Sequence, residues 1–273
     1  MKTKVLELFK WIFIILILCS LICITKWKIE NNENRKEQEE FNQYVINSDD
    51  EIVQNSTMET LVQNSTTETS TQNEVNDVIT YKGKWKNKTN NIEVNFKKLK
   101  EINSDVVGYI KVNNTNIKYP VVRTTNNTYY LTHNFEKKYN SAGWIFMDYR
   151  NTPESKNTII YGHNRLDGTM FAQLKKCLKA SWYNNSKNLN IVYNTENEKS
   201  IYKVFSIYKI ENENYYIQTS FEDDTSYEEF INKIKSRSVK NFNVNVTSRD
   251  KILTLSTCSN RSKYRIVIHA VKQ

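Results

Sequence analysis

The chain has 273 residues and a formal net charge of +9, which is enough sequence for one sizeable folded domain with appendages. Four cysteines without a CxxC pair or a Cys/His cluster argue against a zinc-binding module. The basic charge alone does not separate nucleic acid, an anionic membrane or wall polymer, and plain solubility as its cause.

The N-terminal segment predicts a membrane-spanning helix. Residues 11–25 (WIFIILILCSLICIT) carry no charge, and with their flanks they can cross a hydrocarbon core of about 30 Å. Lys2, Lys4 and Lys10 precede them, which predicts a cytoplasmic N-terminus. A cleaved signal peptide is the alternative, but no small-x-small cleavage site follows. We therefore predict a cytoplasmic tip and signal-anchor over residues 1–28, with the rest of the chain outside the cell.

Residues 29–85 predict an acidic, largely disordered stalk. Twelve acidic and two basic side chains lie in residues 29–80, and residues 28–46 could form a solvated helix. A tandem near-repeat follows, IVQNSTMET (52–60) and LVQNSTTET (61–69), whose units are too short to fold alone. The positive charge is therefore concentrated after residue 80. For an exported domain, this favours an anionic membrane or wall polymer over nucleic acid as its counterpart.

Residues 86–273 predict one mainly β domain. A short helix in NFKKLKEINSDV (95–106) precedes eight strand-like runs that Asn, Gly and Asp turns mostly separate. The runs lie at 106–112, 116–122, 143–149, 157–162, 189–194, 200–210, 251–257 and 264–271. Helical segments at 168–180 and 226–237 interrupt them, the second within the long connection before the last two strands. This pattern is typical of a β-barrel or a β-sandwich.

The histidines and cysteines are the candidates for chemistry. His269 lies inside the last strand and is interpreted as structural, whereas His133 lies in a loop without a distinguishing pattern. His163 follows a buried-looking strand and a glycine, where it can face a cleft. Cys258 closes a strand, and a histidine can pair with its thiolate or shuttle its proton. Cys177 falls in a helical pattern as a buried or incidental residue, and a disulfide between it and Cys258 stays open.

Arg265 opens the last strand and could stabilise an oxyanion with its charged fork of donors. In ILTLSTC (252–258), Ser256 and Cys258 share one strand face. If the hairpin pairs Arg265 with Cys258, both side chains point the same way, whereas a slip of one residue turns the arginine away. A solvated or salt-bridged arginine is the alternative.

Several separated motifs resemble those of the sortases, the membrane-bound cysteine transpeptidases of Gram-positive bacteria. TLSTC followed by YRIVIHA, with IIYGHN upstream, carries the resemblance, which spans residues 92–273. INSDVVGYIKVNNTNIKYPVV, YYLTHNF, AGWIFMDYRN and YGHNRLDGTMFAQL are most similar to class B. The resemblance implies a closed eight-stranded β-barrel with an N-terminal helix, a helix after the histidine strand and a helix in the long loop before the cysteine strand. It implies no metal and no organic cofactor.

The resemblance also implies residue roles. The family's catalytic trio falls on His163, Cys258 and Arg265. The positions that match its substrate groove are Asn127, Leu131, Tyr216, Ile217 and Ser256. The stretch between Cys258 and Arg265 is shorter than in some class B enzymes, and Ser259 and Asn260 replace acidic residues often found there.

The implied reaction cleaves a C-terminal NPxT-type sorting signal of a secreted protein after its threonine. The acyl group passes to an amine of a peptidoglycan precursor, so that surface proteins become anchored to the cell wall. The implied partners are these two substrates and the membrane lipid around the N-terminal helix, with no nucleic acid. A cysteine peptidase that releases peptides to water and a non-catalytic wall-binding module are the alternatives.

Overall fold

The computed structural model describes residues 2–47, 90–211, 213–258 and 263–273. Most of the predicted stalk, including the tandem near-repeat, lies outside the described residues. The described elements are α1 (Lys2–Asn42), β1 (Val45–Asn47), β2 (Ile92–Val94), α2 (Phe96–Ile102), β3 (Val106–Val112), β4 (Lys118–Val122), β5 (Phe146–Met147), β6 (Asn157–His163), α3 (Leu174–Cys177), α4 (Ala180–Tyr183), β7 (Asn190–Asn194), β8 (Lys199–Glu211), α5 (Asp224–Ser236), β9 (Ile252–Cys258) and β10 (Tyr264–Lys272). Short 3₁₀ helices cover Tyr129–Leu131 and Ser186–Leu189.

Eight strands form a closed barrel in the order β10-β8-β7-β3-β4-β5-β6-β9. The β4–β5 and β6–β9 pairs are parallel, and the remaining pairs are antiparallel. Each predicted strand run corresponds to one barrel strand, so the predicted closed eight-stranded barrel is confirmed. The short strands β1 and β2 form a separate two-stranded sheet that was not predicted, because three residues carry too little periodicity to be recognised.

Two hydrophobic cores lie on the two sides of the β9–β10 wall. Leu255 and Ile268 belong to the main core inside the barrel. Val267, next to Ile268 in the chain, belongs to a second core together with Phe230 and Ile234 of α5. Because successive strand residues point to opposite faces, this division is what a two-residue period requires. The long connection before β9 therefore covers the outer face of the barrel.

The helices follow the predictions with one difference. α5 begins after Asp223, whose carboxylate accepts a hydrogen bond of 2.7 Å from the Ser226 N–H, as the acidic run before it predicts. The predicted helix at 168–180 is instead two short helices, α3 and α4, because Lys179 between them is extended. Gly168, with a φ of +83°, lies in the turn that precedes them.

Helix α1 runs across the predicted boundary between anchor and stalk at residue 28. It is long and apolar enough from Phe9 onward to cross a membrane, and it continues without a break to Asn42. Residues 29–42, which the sequence assigned to the stalk, lie against the barrel and bury Asn34 and Phe41. Phe41 packs on Phe135 and Trp144. The start of the predicted stalk is therefore a docked helix.

Candidate active site

Strands β6 and β9 bring His163 and Cys258 together. The two strands run parallel in a continuous register from Asn157 opposite Ile252 to His163 opposite Cys258. Both residues therefore end neighbouring strands at the same end of the barrel. The Gly162 position is tightly packed, because a Cβ atom there would collide with the Ile145 and Phe171 side chains. This packing fixes the strand end that carries the histidine.

A chain of hydrogen bonds identifies the strand faces. The Thr254 hydroxyl donates to Asn157 Oδ1 at 2.6 Å and lies 2.8 Å from His269 Nδ1. Odd-numbered positions of β6 and β10 therefore share a face with Thr254. Val267 and Val271, also odd-numbered, pack in the second core, so this face is the outer face of the barrel. His163 and Arg265 are odd-numbered members of these strands, so both belong to the outer face.

Arg265 lies at the cleft end of β10. The β9–β10 pairing runs from Val271 to Val267, which is opposite Ser256. The same register extended by two residues places Arg265 beside the Cys258 backbone. The half-buried guanidinium of Arg265 donates a long hydrogen bond of 3.4 Å to the Thr257 carbonyl, next to the cysteine in the chain. The sequence analysis made a shared site conditional on the pairing of Arg265 with Cys258. The register of β9 and β10 is compatible with that pairing.

His163 is half-buried, and its ring is held by the backbone. Its Nε2 atom lies 2.8 Å from the Leu131 carbonyl oxygen. A carbonyl oxygen only accepts hydrogen bonds, so Nε2 carries a proton in this arrangement. The ring is thus oriented by the loop that contains Leu131, one of the predicted substrate positions.

A cleft of about 820 Å³ opens beside His163 at the mouth of the barrel, and we call it the barrel-mouth cleft. Tyr264 and Ile266 of β10 line it, so Arg265 between them lies on the other strand face. Trp27 and Glu30 of α1 also line it. Their participation was not predicted, because no local pattern indicates that a juxtamembrane helix returns to the barrel.

The segment from Tyr216 to Gln218 is held through its own three backbone carbonyls, each of which accepts a hydrogen bond from a side chain. The Asn157 side-chain amide donates to the Tyr216 carbonyl at 3.3 Å and to the Gln218 carbonyl at 2.8 Å. Between them, the Arg150 guanidinium donates to the Ile217 carbonyl at 2.9 Å. This segment contains two predicted substrate-binding residues, and the hydrogen bonds fix its backbone before any substrate arrives.

Arg150 is itself held by a buried carboxylate. It forms two hydrogen bonds with Asp148, at 2.9 and 2.7 Å, and the Tyr161 hydroxyl donates to the same carboxylate at 2.9 Å. Burial opposes ionisation of Asp148, but the hydrogen bonds from Arg150 and Tyr161 outweigh it and lower the pKa of the carboxyl. Asp148 therefore stays charged and orients Arg150.

Apart from Ile217, the predicted substrate-binding residues fall into three places. Leu131 lines the barrel-mouth cleft with His163. Tyr216 and Ser256 are buried, and their hydroxyl oxygens lie 3.0 Å apart. Asn127 is half-buried and accepts a hydrogen bond of 3.0 Å from the Tyr149 N–H, which braces the loop preceding Arg150.

Other candidate residues lie away from this chemistry. His269 is fully buried, and the Tyr208 hydroxyl lies 2.8 Å from its Nε2. Burial lowers the pKa of His269 to about 3, so the ring stays neutral. Cys177 is buried, and burial raises the pKa of its thiol, which makes it a poor nucleophile. His133 stacks on Tyr129 in its loop.

No cluster of three or more His, Cys, Asp or Glu side chains able to hold a metal ion is found among the described residues. The proximity of a cysteine, a histidine and an arginine at one end of a barrel is suited to acyl transfer through a thioester.

Comparisons with known proteins place this arrangement in a family. A family model described as the sortase domain matches residues 110–273. Sortase B of Listeria monocytogenes is 41% identical over 173 residues, which cover 61% of this chain and 68% of that protein. Sortase B of Staphylococcus aureus is 42% identical over 180 residues, which cover 64% and 73%.

Solved structures agree with these relatives. A Staphylococcus aureus sortase B–substrate complex matches with a TM-score of 0.62 and 41% identity, over 65% of this chain and 84% of that chain. Clostridium perfringens sortase B matches with a TM-score of 0.62 and 35% identity, over 65% and 99%. The chain belongs to the sortase family and is a class B-like cysteine transpeptidase that anchors surface proteins.

Proposed function

We infer that this sortase cleaves an NPxT-type sorting signal after threonine and transfers the acyl group to an amine of a peptidoglycan precursor. The observation that carries the proposal is the pairing of His163 with Cys258 at the ends of adjacent parallel strands. Relatives at about 41% identity include a sortase B solved as a substrate complex, which supports a peptide substrate in the same region.

In the first half of the proposed reaction, the Cys258 thiolate attacks the threonine carbonyl carbon and forms a C–S bond. Arg265 stabilises the negative charge on the carbonyl oxygen, since its guanidinium remains protonated. The imidazolium of His163 gives a proton to the departing nitrogen as the C–N bond breaks. The products are a thioester on Cys258 and a released peptide with a new amino terminus.

In the second half, the precursor amine attacks the thioester carbon. His163 takes the proton from the attacking nitrogen, the C–S bond breaks, and the Cys258 thiolate is restored. A new amide bond replaces the original one, so no oxidant, reductant or nucleotide is consumed. The fixed backbone between Tyr216 and Gln218 supports a role in holding the sorting peptide during both steps.

We also propose that the enzyme is a single-pass membrane protein with a cytoplasmic N-terminus and an extracellular barrel. The long apolar helix α1 fits a membrane anchor. Lys2, Lys4 and Lys10 before its uncharged stretch favour this orientation. The substrates would then be secreted proteins and a cell-wall precursor at the outer surface of the membrane.

The reaction can be tested by incubating the full chain with an NPxT peptide, with and without triglycine as the amine. We expect mass spectrometry to detect the amide between the peptide acyl group and triglycine, and Cys258→Ala to abolish both cleavage and transfer. Cys177→Ala is the matched control, and it should retain transfer because this thiol is buried away from the site. Release to water alone at every triglycine concentration would instead establish a peptidase, and an unchanged Cys258→Ala variant would refute the mechanism.

A further inference from the structure

Helix α1 connects the apolar anchor to the barrel without a break. The helix is continuous, and its docked part is held at several levels. Asn140 donates to Asn34 at 2.7 Å, and Arg35 donates to the Asp167 carbonyl at 3.0 Å. Asn34 is almost fully buried, with 1% of its surface exposed. The orientation of the barrel relative to the anchor is therefore determined by the helix.

This connection places the barrel-mouth cleft next to the membrane surface. Thr25 is the last residue of the uncharged stretch, and Glu30 lines the cleft together with Trp27. An α-helix rises 1.5 Å per residue, so Glu30 lies only about 8 Å beyond Thr25 along the helix axis. The headgroup layer adds roughly 5–8 Å to each side of the hydrocarbon core. The level of the cleft along α1 thus corresponds to the lipid headgroups.

A second observation is independent of the helix. Leu166 and Tyr139 line the same cleft, and 91% and 78% of their surfaces are exposed. Beyond α1, they are the two most exposed large apolar side chains of the described residues. Single exposed apolar residues are ordinary, but these two share the one rim that α1 brings to the headgroup level.

The charges near this rim are mainly positive. Lys26 and Lys28 flank Trp27 on α1, and Lys175 and Lys209 line the cleft. Basic side chains next to a membrane are attracted to anionic lipid headgroups, and tryptophan is enriched at the same depth. The rim therefore combines apolar tips with basic side chains, as a surface that contacts a bilayer requires.

We propose that the rim formed by Tyr139 and Leu166 contacts the headgroup layer of an anionic phospholipid bilayer, so that the cleft beside His163 opens toward the membrane. The inference rests on the proposed membrane anchoring. A substrate held in the membrane would then reach His163 without leaving the headgroup layer.

Site-directed spin labelling of the full chain tests this contact. The protein is placed in vesicles of phosphatidylglycerol and phosphatidylcholine, with Cys19→Ala, Cys23→Ala and Cys258→Ala, while the buried Cys177 stays in place. A nitroxide is attached after Leu166→Cys at the rim. The matched control is Asn197→Cys in the exposed turn between β7 and β8.

Asn197 is a suitable control because it lies near the C-terminal end of α1, which points away from the membrane. β1 follows α1 and pairs with β2, and Glu93 of β2 forms an ion pair with Lys199 beside the turn. Leu16→Cys, within the uncharged part of α1, serves as the anchor control. Thermal unfolding and circular dichroism verify that each labelled variant is folded.

We expect the ratio of oxygen collisions to collisions with a water-soluble nickel complex to be at least twofold higher at residue 166 than at residue 197. Residue 16 should give the highest ratio. Equal ratios at 166 and 197, with a membrane-embedded residue 16, would overturn the rim contact and leave the anchor intact. A water-exposed residue 16 would overturn the anchor as well, and label-to-label broadening at 166 without increased oxygen contact would indicate a second copy of the chain instead.

Discussion

Two histidines on the same face of the barrel have opposite environments. His269 lies within β10, fully buried, and side-chain hydroxyls lie 2.8 Å from both of its ring nitrogens. His163 lies at the end of β6, half-buried beside the barrel-mouth cleft, with one ring nitrogen against a backbone carbonyl. The position along the strand, rather than the residue type, therefore separates a histidine that holds the wall together from one that can exchange protons.

The largest expected difference comes from replacing each histidine by alanine. His163→Ala should lower kcat/KM for peptide transfer by about 10³, because general acid–base groups contribute 10²–10⁴. Its melting temperature should change little, since the ring is only half-buried. His269→Ala should instead destabilise the protein by about 2–4 kcal/mol, because Thr254 and Tyr208 lose a buried partner. Steady-state kinetics and thermal unfolding of both variants check this. An equal loss of kcat/KM in both folded variants would contradict the different roles of the two histidines.

A smaller effect is expected from the side chain that fixes the 216–218 segment. Asn157→Ala removes the donors to the Tyr216 and Gln218 carbonyls and should raise KM for the sorting peptide by about tenfold. We expect kcat to change less than threefold, since Asn157 is six residues from His163 along β6. Steady-state kinetics with varied peptide measures both values.

Asn188 provides a matched control for this variant. It is also buried, and its amide donates to the Trp182 carbonyl at 2.9 Å, outside the candidate site. Asn188→Ala should lower the melting temperature without a change in KM. A similar rise in KM for both variants would mean that general loosening, rather than the held segment, alters peptide binding.

The smallest effect concerns pH and sharpens the contrast between the histidines. Burial lowers the pKa of His269 to about 3 from an ordinary value of 6.5. Below pH 6.5, His269 therefore binds a proton in the unfolded chain but not in the folded chain. The free energy of unfolding falls as the pH decreases from 6.5 toward 3. The limiting slope is about 1.4 kcal/mol per pH unit for one proton. Thermal unfolding between pH 7 and 4.5 should show a shallower decline for His269→Gln, and an unchanged slope would contradict the neutral buried ring.

The barrel was predictable because its strands carry their own signal. β3 has the bounds expected from VVGYIKV. β6 and β10 differ from their predicted runs by one residue at one end, and β9 is shifted by one residue at both ends. Apolar and β-branched residues with a two-residue period are local features, and the turn residues between them are local as well. His163 and Cys258 could each be recognised in the sequence as strand-end residues, whereas their assignment to one site came from the resemblance to the sortases.

The docked helix and the held loop were not predictable in the same way. Asn31 and Asn34 lie in a polar stretch, and their partners Arg165 and Asn140 are more than 100 residues away. Asn157 holds carbonyls about 60 residues further along the chain. A polar side chain in a sequence does not indicate its partner, so contacts of this kind emerge only from the folded chain.

The central claim is that Cys258 accepts the acyl group of the sorting peptide as a thioester. Incubation of the full chain with an NPxT peptide and no added amine, followed by acid quenching, intact-mass measurement and peptide mapping, tests it directly. We predict one acyl adduct, located on Cys258, with the mass of the peptide up to its threonine, and its disappearance on addition of triglycine. Peptide cleavage without any adduct, or an adduct that persists in Cys258→Ala, would contradict the account.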